Sequence, residues 1–275
     1  MNCYVYSIRG AYNIQMNGYD KTKLYKTDEY VNIFPTLFEE DSEWKLSKII
    51  PLTDEWIAQI SGNIKIINLL DVGGGAGLIL RSVSSHIEKK YDKKVDKYAL
   101  DLSGAALEMQ QKRNPDLKKV LNEDIADTSL KNKEIDLTLL IDVLEHLAEP
   151  DKALKEIKRI SRFVILKVPL EDNIVTNLSN LINSGQTRRE LAEKLGHVNL
   201  YNHRTLRKQI QEQLGGILKF SFTNAFELYL SSEMRRKDMK LTHKLANIVC
   251  AHLFNVSEVL ASRIFNDFAV LLVKC

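Results

Sequence analysis

The sequence predicts an α/β protein built on a doubly wound, mostly parallel sheet. Three observations lead there. Short apolar runs alternate with segments of helical spacing between residues 65 and 169, the pattern of strand–helix–strand crossovers. The first run, residues 66–72 (Ile-Ile-Asn-Leu-Leu-Asp-Val), passes at once into Gly73-Gly74-Gly75-Ala76-Gly77 and a helical stretch. That order is how open α/β sheets hold nucleotide-like ligands. Two further apolar runs, 217–222 and 267–274, follow the last crossover and bring the strands to seven.

The elements follow in order. Six of the ten tyrosines, Tyr4, Tyr6, Tyr12, Tyr19, Tyr25 and Tyr30, fall in the first 30 residues, which marks this stretch as unlike the rest. A helix is expected over 36–49, with Leu37, Phe38, Trp44, Leu46 and Ile49 apolar; Pro51 interrupts it, and a second helix over 53–60 carries Trp56 and Ile60. Strand one is 65–70, a helix follows over 78–90, and strand two is 97–101, ending in Asp101. Ser103 suits the N-cap of a helix over 104–113. A third strand is expected over 118–122 and a fourth, buried one over 135–141. Pro150 suits the first turn of a helix over 150–161, whose Ala153, Leu154, Ile157 and Ile160 recur at three-to-four spacing. The fifth strand, 163–168, is expected to stop at Pro169.

Residues 173–196 are polar and helical in character, 203–214 form a helix closed by Gly215-Gly216, and 217–222 and 267–274 are strands. The helical stretch 224–266 between those last two is too long for a hairpin loop and reads as a cap or an oligomerisation element, here of a homodimer. The expected division is a helical lid or substrate segment over 1–60, a core over 61–223, the insertion over 224–266 and a final core strand over 267–275.

Composition narrows the class. The 39 basic and 36 acidic residues leave +3, too balanced to argue for a nucleic-acid or membrane partner. Arg235-Arg236-Lys237 reads as a solvated helix face. Cys3, Cys250 and Cys275 make no spaced pair, which disfavours a disulfide framework or zinc knuckle. The first residues lack a basic patch before an apolar core, and no apolar run approaches the roughly 18 residues of a membrane span. A cytoplasmic setting is the expectation.

The glycine spacing selects the ligand. A dinucleotide fingerprint needs glycines at relative positions 1, 3 and 6, but counting from Gly73 the last falls on Leu78. No Gly-Lys-Ser/Thr follows, which excludes a P-loop. The pattern Asp71-x-Gly73-x-Gly75-x-Gly77, with Asp101 and then Asp124 at the next two strand ends, resembles class I S-adenosylmethionine (SAM)-dependent methyltransferases. That resemblance implies a Rossmann-like, seven-stranded sheet whose last strand is antiparallel. It also implies cofactor contacts from Asp71 and the three glycines at the amino-acid end, from Asp101 and Leu102 at the ribose, and from Asp124 and Ile125 at the adenine, with Ile125 as an apolar face.

The fourth strand ends in Asp142-Val143-Leu144-Glu145-His146-Leu147, and Gly196-His197-Val198-Asn199 lies downstream. Both segments resemble a small-molecule subgroup that includes ubiquinone-type, sugar and natural-product O-methyltransferases of biosynthesis. If 142–146 is a helical turn, Asp142 shares a face with Glu145 and His146. Such a cluster, completed by His197, suits a divalent cation such as Mg²⁺ or Mn²⁺, a site some members of the subgroup have; in others the histidine lines the acceptor pocket without metal. Asp142 is also a cofactor contact by resemblance. His146, with Glu145 beside it, is the expected general base, and Tyr25 and Tyr30 belong to the expected lid. The function expected is methyl transfer from SAM to a hydroxyl of a small polar acceptor. An N-methyltransferase and a non-catalytic SAM-binding protein are the alternatives.

Overall fold

The computed structural model describes residues 41–60, 62, 64–231 and 241–275. The N-terminal tyrosines with Tyr25 and Tyr30, the start of the expected 36–49 helix, Cys3 and the Arg235-Arg236-Lys237 patch lie outside the described residues.

Seven strands form one sheet in the order β3-β2-β1-β4-β5-β7-β6. They are β1 (Ile66–Val72), β2 (Lys94–Leu100), β3 (Leu117–Leu121), β4 (Ile135–Ile141), β5 (Ser161–Leu170), β6 (Gly216–Phe222) and β7 (Asp267–Lys274). The first five pair in parallel, and β7 runs antiparallel to both β5 and β6. The chain order reverses between β1 and β4. At such a switch point the crossovers diverge to opposite faces and leave a crevice at the carboxyl ends of the strands.

Helices α1 (Ser42–Gln59) and α2 (Leu78–Tyr91) cover one face; α4 (Pro150–Ile160) and α7 (His203–Gln213) cover the other, and α3 (Gly104–Arg113) follows β2. The period of two along each strand divides the core between the faces. Leu69, Leu139 and Ile165 pack with Ile49, Trp56, Leu80 and Ile87. Their neighbours Leu70, Leu140 and Leu166 pack with Leu154, Ile157, Leu206 and Ile210.

After β5 come α5 (Ile174–Ile182) and α6 (Gln186–Glu190), the latter continuing into a wider turn over Leu191–Leu195. The insertion before β7 holds α8 (Ala225–Ser231), α9 (Leu241–Val256) and α10 (Glu258–Ile264). It has a small core of its own, Ala225, Phe226, Cys250, Phe254 and Ala261, against which Trp44 and Phe268 pack. Ser103 caps α3 as expected, accepting from Ala106 N–H at 3.2 Å.

Two prolines differ from expectation. Pro51 does not divide two helices but lies inside α1. The carbonyl its ring leaves without a donor belongs to Ser47, and both residues are exposed, so water can take the missing bond. Burial of Ile49, Leu52, Trp56 and Ile57 on the sheet offsets a penalty of about 3 kcal/mol. Pro169 does not stop β5, which runs on to Leu170. Pairing with β4 ends at Lys167, so at Pro169 only β7 is alongside, opposite Phe268. The strand is locally an edge there, where proline is tolerated.

Candidate functional site

The site begins where β1 leaves the sheet. Gly73, Gly75 and Gly77 have φ of 62°, 55° and 78°, the left-handed region that side chains other than glycine disfavour. The turn is tied down by Gly73 N–H donating to Leu100 O and Gly77 N–H donating to Gly74 O, both at 2.9 Å. Crowding adds a second constraint. A Cβ on Gly74 would fall 2.0 Å from Asp71 Oδ2, and one on Gly73 would fall 2.8 Å from Val143 Cγ2. Gly74 occupies an unassigned position of the sequence motif, so spacing alone did not single it out; the run of three glycines was the available signal. The Val143 contact places the end of β4 directly against the glycine loop.

Asp71 is 1% exposed, and its Oδ2 has no hydrogen-bond partner. Burial, and then the charge of Asp101, push its carboxyl up to about 7. Asp101 lies one residue beyond β2, and burial pushes it to about 6 against hydrogen bonds from the Ser103 and Leu102 backbone. Asn122 Nδ2 donates to the carbonyls of Asp101 and Leu102 at 3.0 and 2.9 Å, joining the ends of β2 and β3. A buried carboxylate with an orphaned oxygen and a half-buried one whose charge reaches it fit a ligand that brings an ammonium and hydroxyl donors.

Asp124 is exposed and accepts the Ala126 N–H at 2.9 Å. Ile125 is 4% exposed and packs in the core with Leu121 and Leu130. Its side chain is turned inward, because the short β3 needs an apolar seal at its end. That corrects the expectation of an apolar face toward a ligand.

The expected helical turn over 142–146 forms only as a 3₁₀ turn over Leu144–His146. Asp142 has φ 56°, a left-handed residue that breaks the turn. Its carboxylate is ion-paired to Lys167 and, at 3.0 Å, to Lys45. Burial alone would push that carboxyl up; the two lysines outweigh it and hold it well below the usual carboxylate range. Asp142 is therefore not with the metal candidates, because two cations already claim its oxygens.

The other three candidates do converge. Ligand atoms of Glu145, His146 and His197 lie within 4.8 Å of one another, and the two imidazole centroids are 5.0 Å apart. The downstream segment closes over the turn: Val198 and Asn199 N–H donate to Glu145 O at 2.9 and 3.0 Å. The Asn199 amide donates to Leu144 O and Leu147 O at 3.2 and 2.6 Å. His146 Nδ1 lies 3.2 Å from Gly196 O.

Glu145 is 1% exposed with Oε2 unpartnered; burial and then Asp142 push its carboxyl up to about 8. His197 Nδ1 is 2.7 Å from Glu171 Oε2. Burial lowers the His197 pKa, but Glu171, Glu145 and Asp142 outweigh it and the net shift is upward. The donor set suits a divalent cation: two imidazoles and a carboxylate, one imidazole oriented by a second carboxylate. Lys45, Lys167 and Glu171 escaped sequence reasoning. Lys167 did leave a trace, as the one charged residue in the apolar run 163–168.

Residues 70–162 match the family model described as a methyltransferase domain, a span that holds Asp71, the glycine loop, Asp101, Asp124 and the Glu145-His146 turn. No curated protein matches the chain. Among solved structures, it is similar to a Haloferax volcanii methyltransferase in complex with the Trm112 methyltransferase activator, at 14% identity over 94% of this chain and 99% of that one, TM-score 0.57. It is also similar to a geranyl diphosphate C-methyltransferase from Streptomyces coelicolor A3(2), crystallised with Mg²⁺, geranyl-S-thiolodiphosphate and S-adenosyl-L-homocysteine: 9% identity, 81% and 74% covered, TM-score 0.52. A sarcosine dimethylglycine methyltransferase from Galdieria sulphuraria is similar at 15% identity, 81% and 84% covered, TM-score 0.52. At these identities the likeness is one of fold. Domain match, sheet order and the buried acidic cradle agree, and the chain carries a methyltransferase domain of the class I, SAM-dependent kind.

Proposed function

We propose that the protein transfers the methyl group of SAM to a hydroxyl of a small polar metabolite, assisted by a divalent cation at Glu145, His146 and His197. The observation that carries this reading is that convergence beside the glycine loop, with Val143 against Gly73 linking the two. Asp71 would hold the ammonium of SAM, Asp101 with Leu102 its ribose, and Asp124 with the Ile125 backbone its adenine. The sulfonium already carries the activation, so the chain's task is alignment. A bound cation would lower the pKa of an acceptor hydroxyl and orient it. The orphaned Glu145 Oε2 is then accounted for as a ligand atom, and Glu171 sets the ring of His197. Without metal, His146 is the group placed to take the proton.

An amine acceptor is the second reading, because a buried carboxyl with an unpartnered oxygen would also hold an ammonium. The similar structures include a methyltransferase of carbon and one of sarcosine and dimethylglycine, so the fold does not choose the acceptor atom.

Calorimetry should show SAM and S-adenosylhomocysteine binding with Kd on the order of micromolar, and no binding of NAD. NAD binding without SAM binding ends the methyltransferase reading. Methyl-labelled SAM incubated with hydroxylated metabolites should transfer label in Mg²⁺ or Mn²⁺ and lose transfer in chelator. Transfer unaffected by chelator removes the cation and leaves His146 as base.

A further inference from the structure

Glu145 and His146 stand on a turn with few bonds of its own. It is a short 3₁₀ turn over Leu144–His146, between β4 and α4. The chain enters it past the left-handed Asp142 and leaves through an extended Leu147. Within the turn, His146 N–H donates to Val143 O at 2.9 Å and Leu147 N–H to Leu144 O at 3.4 Å. So short a 3₁₀ turn has poor hydrogen-bond geometry and no adjoining helix to extend it. Something else must fix where its side chains aim.

Asn199 does so from the segment that follows β5. Its side-chain nitrogen donates to Leu144 O at 3.2 Å and to Leu147 O at 2.6 Å, one carbonyl at the start of the turn and one just past its end. Its backbone N–H donates to Glu145 O, between those two, at 3.0 Å, and Val198 N–H reaches the same oxygen at 2.9 Å. Both side-chain partners are carbonyls, which only accept, and an amide nitrogen has two hydrogens to give. Each hydrogen therefore has its own acceptor. Asn199 also lies two residues from His197, and Gly196 O is 3.2 Å from His146 Nδ1. The residue that grips the turn belongs to the same short stretch as the third converging group.

We propose that Asn199 is a positioning residue that holds the Leu144–His146 turn against the His197 segment and so sets how Glu145 and His146 face His197. It rests on the proposed function only for what the three groups then do. Alanine at 199 removes both side-chain donors, which lets the turn relax and the two imidazoles, 5.0 Å apart, separate. Aspartate keeps the shape but turns an acceptor toward two acceptors, so it is the worse replacement. Serine keeps one donor and falls between alanine and the native residue.

Two measurements on the full chain test this in wild type, Asn199→Ala, Asn199→Asp and Asn199→Ser. The first is the nuclear Overhauser contact between the ring protons of His146 and His197, which needs neither metal nor turnover. It should be present in wild type, lost in Asn199→Ala and Asn199→Asp, and partly restored in Asn199→Ser. The second is calorimetry with Mn²⁺ and, separately, with S-adenosylhomocysteine. Mn²⁺ affinity should fall about tenfold in Asn199→Ala, further in Asn199→Asp and less in Asn199→Ser, while S-adenosylhomocysteine affinity stays within about twofold of wild type. A thermal melt checks folding, and Asn199→Ser carries the comparison if Asn199→Ala does not fold. Ring contact and Mn²⁺ affinity unchanged in Asn199→Ala and Asn199→Asp overturn the proposal, as does a ring contact missing from wild type. Equal losses for Mn²⁺ and S-adenosylhomocysteine also overturn it, since they mark a general loss of structure. Wild type failing to bind Mn²⁺ would instead sink the cation reading, and the ring contact would still judge Asn199.

Discussion

Glu171 Oε2 sits 2.7 Å from His197 Nδ1, and the carboxylate is 1% exposed. The bond sets which ring nitrogen of His197 faces Glu145 and His146. Glu171→Gln keeps the shape but loses the charge. It should cost about 2 kcal/mol of stability and weaken Mn²⁺ binding about tenfold or more, read by chemical denaturation and calorimetry. Unchanged Mn²⁺ affinity would show that the dyad does not serve a metal.

Cation affinity should itself depend on pH. Glu145 must lose a proton that it holds up to about pH 8, and His197, raised above its ordinary value, must do the same. Ligand deprotonation makes binding stronger as pH rises. Mn²⁺ titrations from about pH 6 to about pH 8.5 should show steady tightening in wild type and almost none in Glu145→Gln. A flat wild-type profile would argue against Glu145 as a ligand.

Gly74 and Asp71 make the sharpest steric test. Adding a methyl to Gly74 puts it 2.0 Å from Asp71 Oδ2, so the carboxylate must swing or the loop must move. Gly74→Ala should lower S-adenosylhomocysteine affinity by about 30-fold, about 2 kcal/mol, with far-ultraviolet circular dichroism unchanged. Affinity within twofold of wild type would place the cofactor's ammonium elsewhere.

Asp71 also gives the cofactor-free protein a pH signature. Its carboxyl titrates near 3.8 when unfolded and near 7 when folded, so the folded chain holds the proton more tightly. The stability this adds is complete below pH 3.8 and is lost as pH rises through about 7. Glu145, raised to about 8, has the same sign. The melting temperature of the free protein should fall between about pH 5 and about pH 8, less steeply in Asp71→Asn. S-adenosylhomocysteine should stabilise wild type more at the upper end, where Asp71 is a carboxylate for its ammonium. A melting temperature that rises across that interval would contradict the assignment.

Much of the fold was legible because its signals are local. Short apolar runs marked all seven strands, and 135–141 and 267–274 were placed to the residue. Asp71, Asp101 and Asp124 could be ordered along the chain because each lies at or just beyond the end of its own strand. The prolines were misread because their tolerance depends on surroundings: solvent at Ser47 and Pro51, and a missing neighbour strand at Pro169. Asp142 was misassigned because a helical turn was assumed where its backbone is left-handed.

The sequence alone determined the layer order, the glycine turn with the acids at successive strand ends, and the two segments bearing Glu145, His146 and His197. Those features rest on periodicity and short spacing, which act between residues near in the chain. Only the tertiary structure decided that Asp142 belongs to Lys45 and Lys167, that Glu171 orients His197, and that Gly74 yields its space to Asp71. The first two join residues on separate elements brought together at the strand ends. Their charges take partners and protons according to burial, and burial exists only once the sheet and its helices have packed.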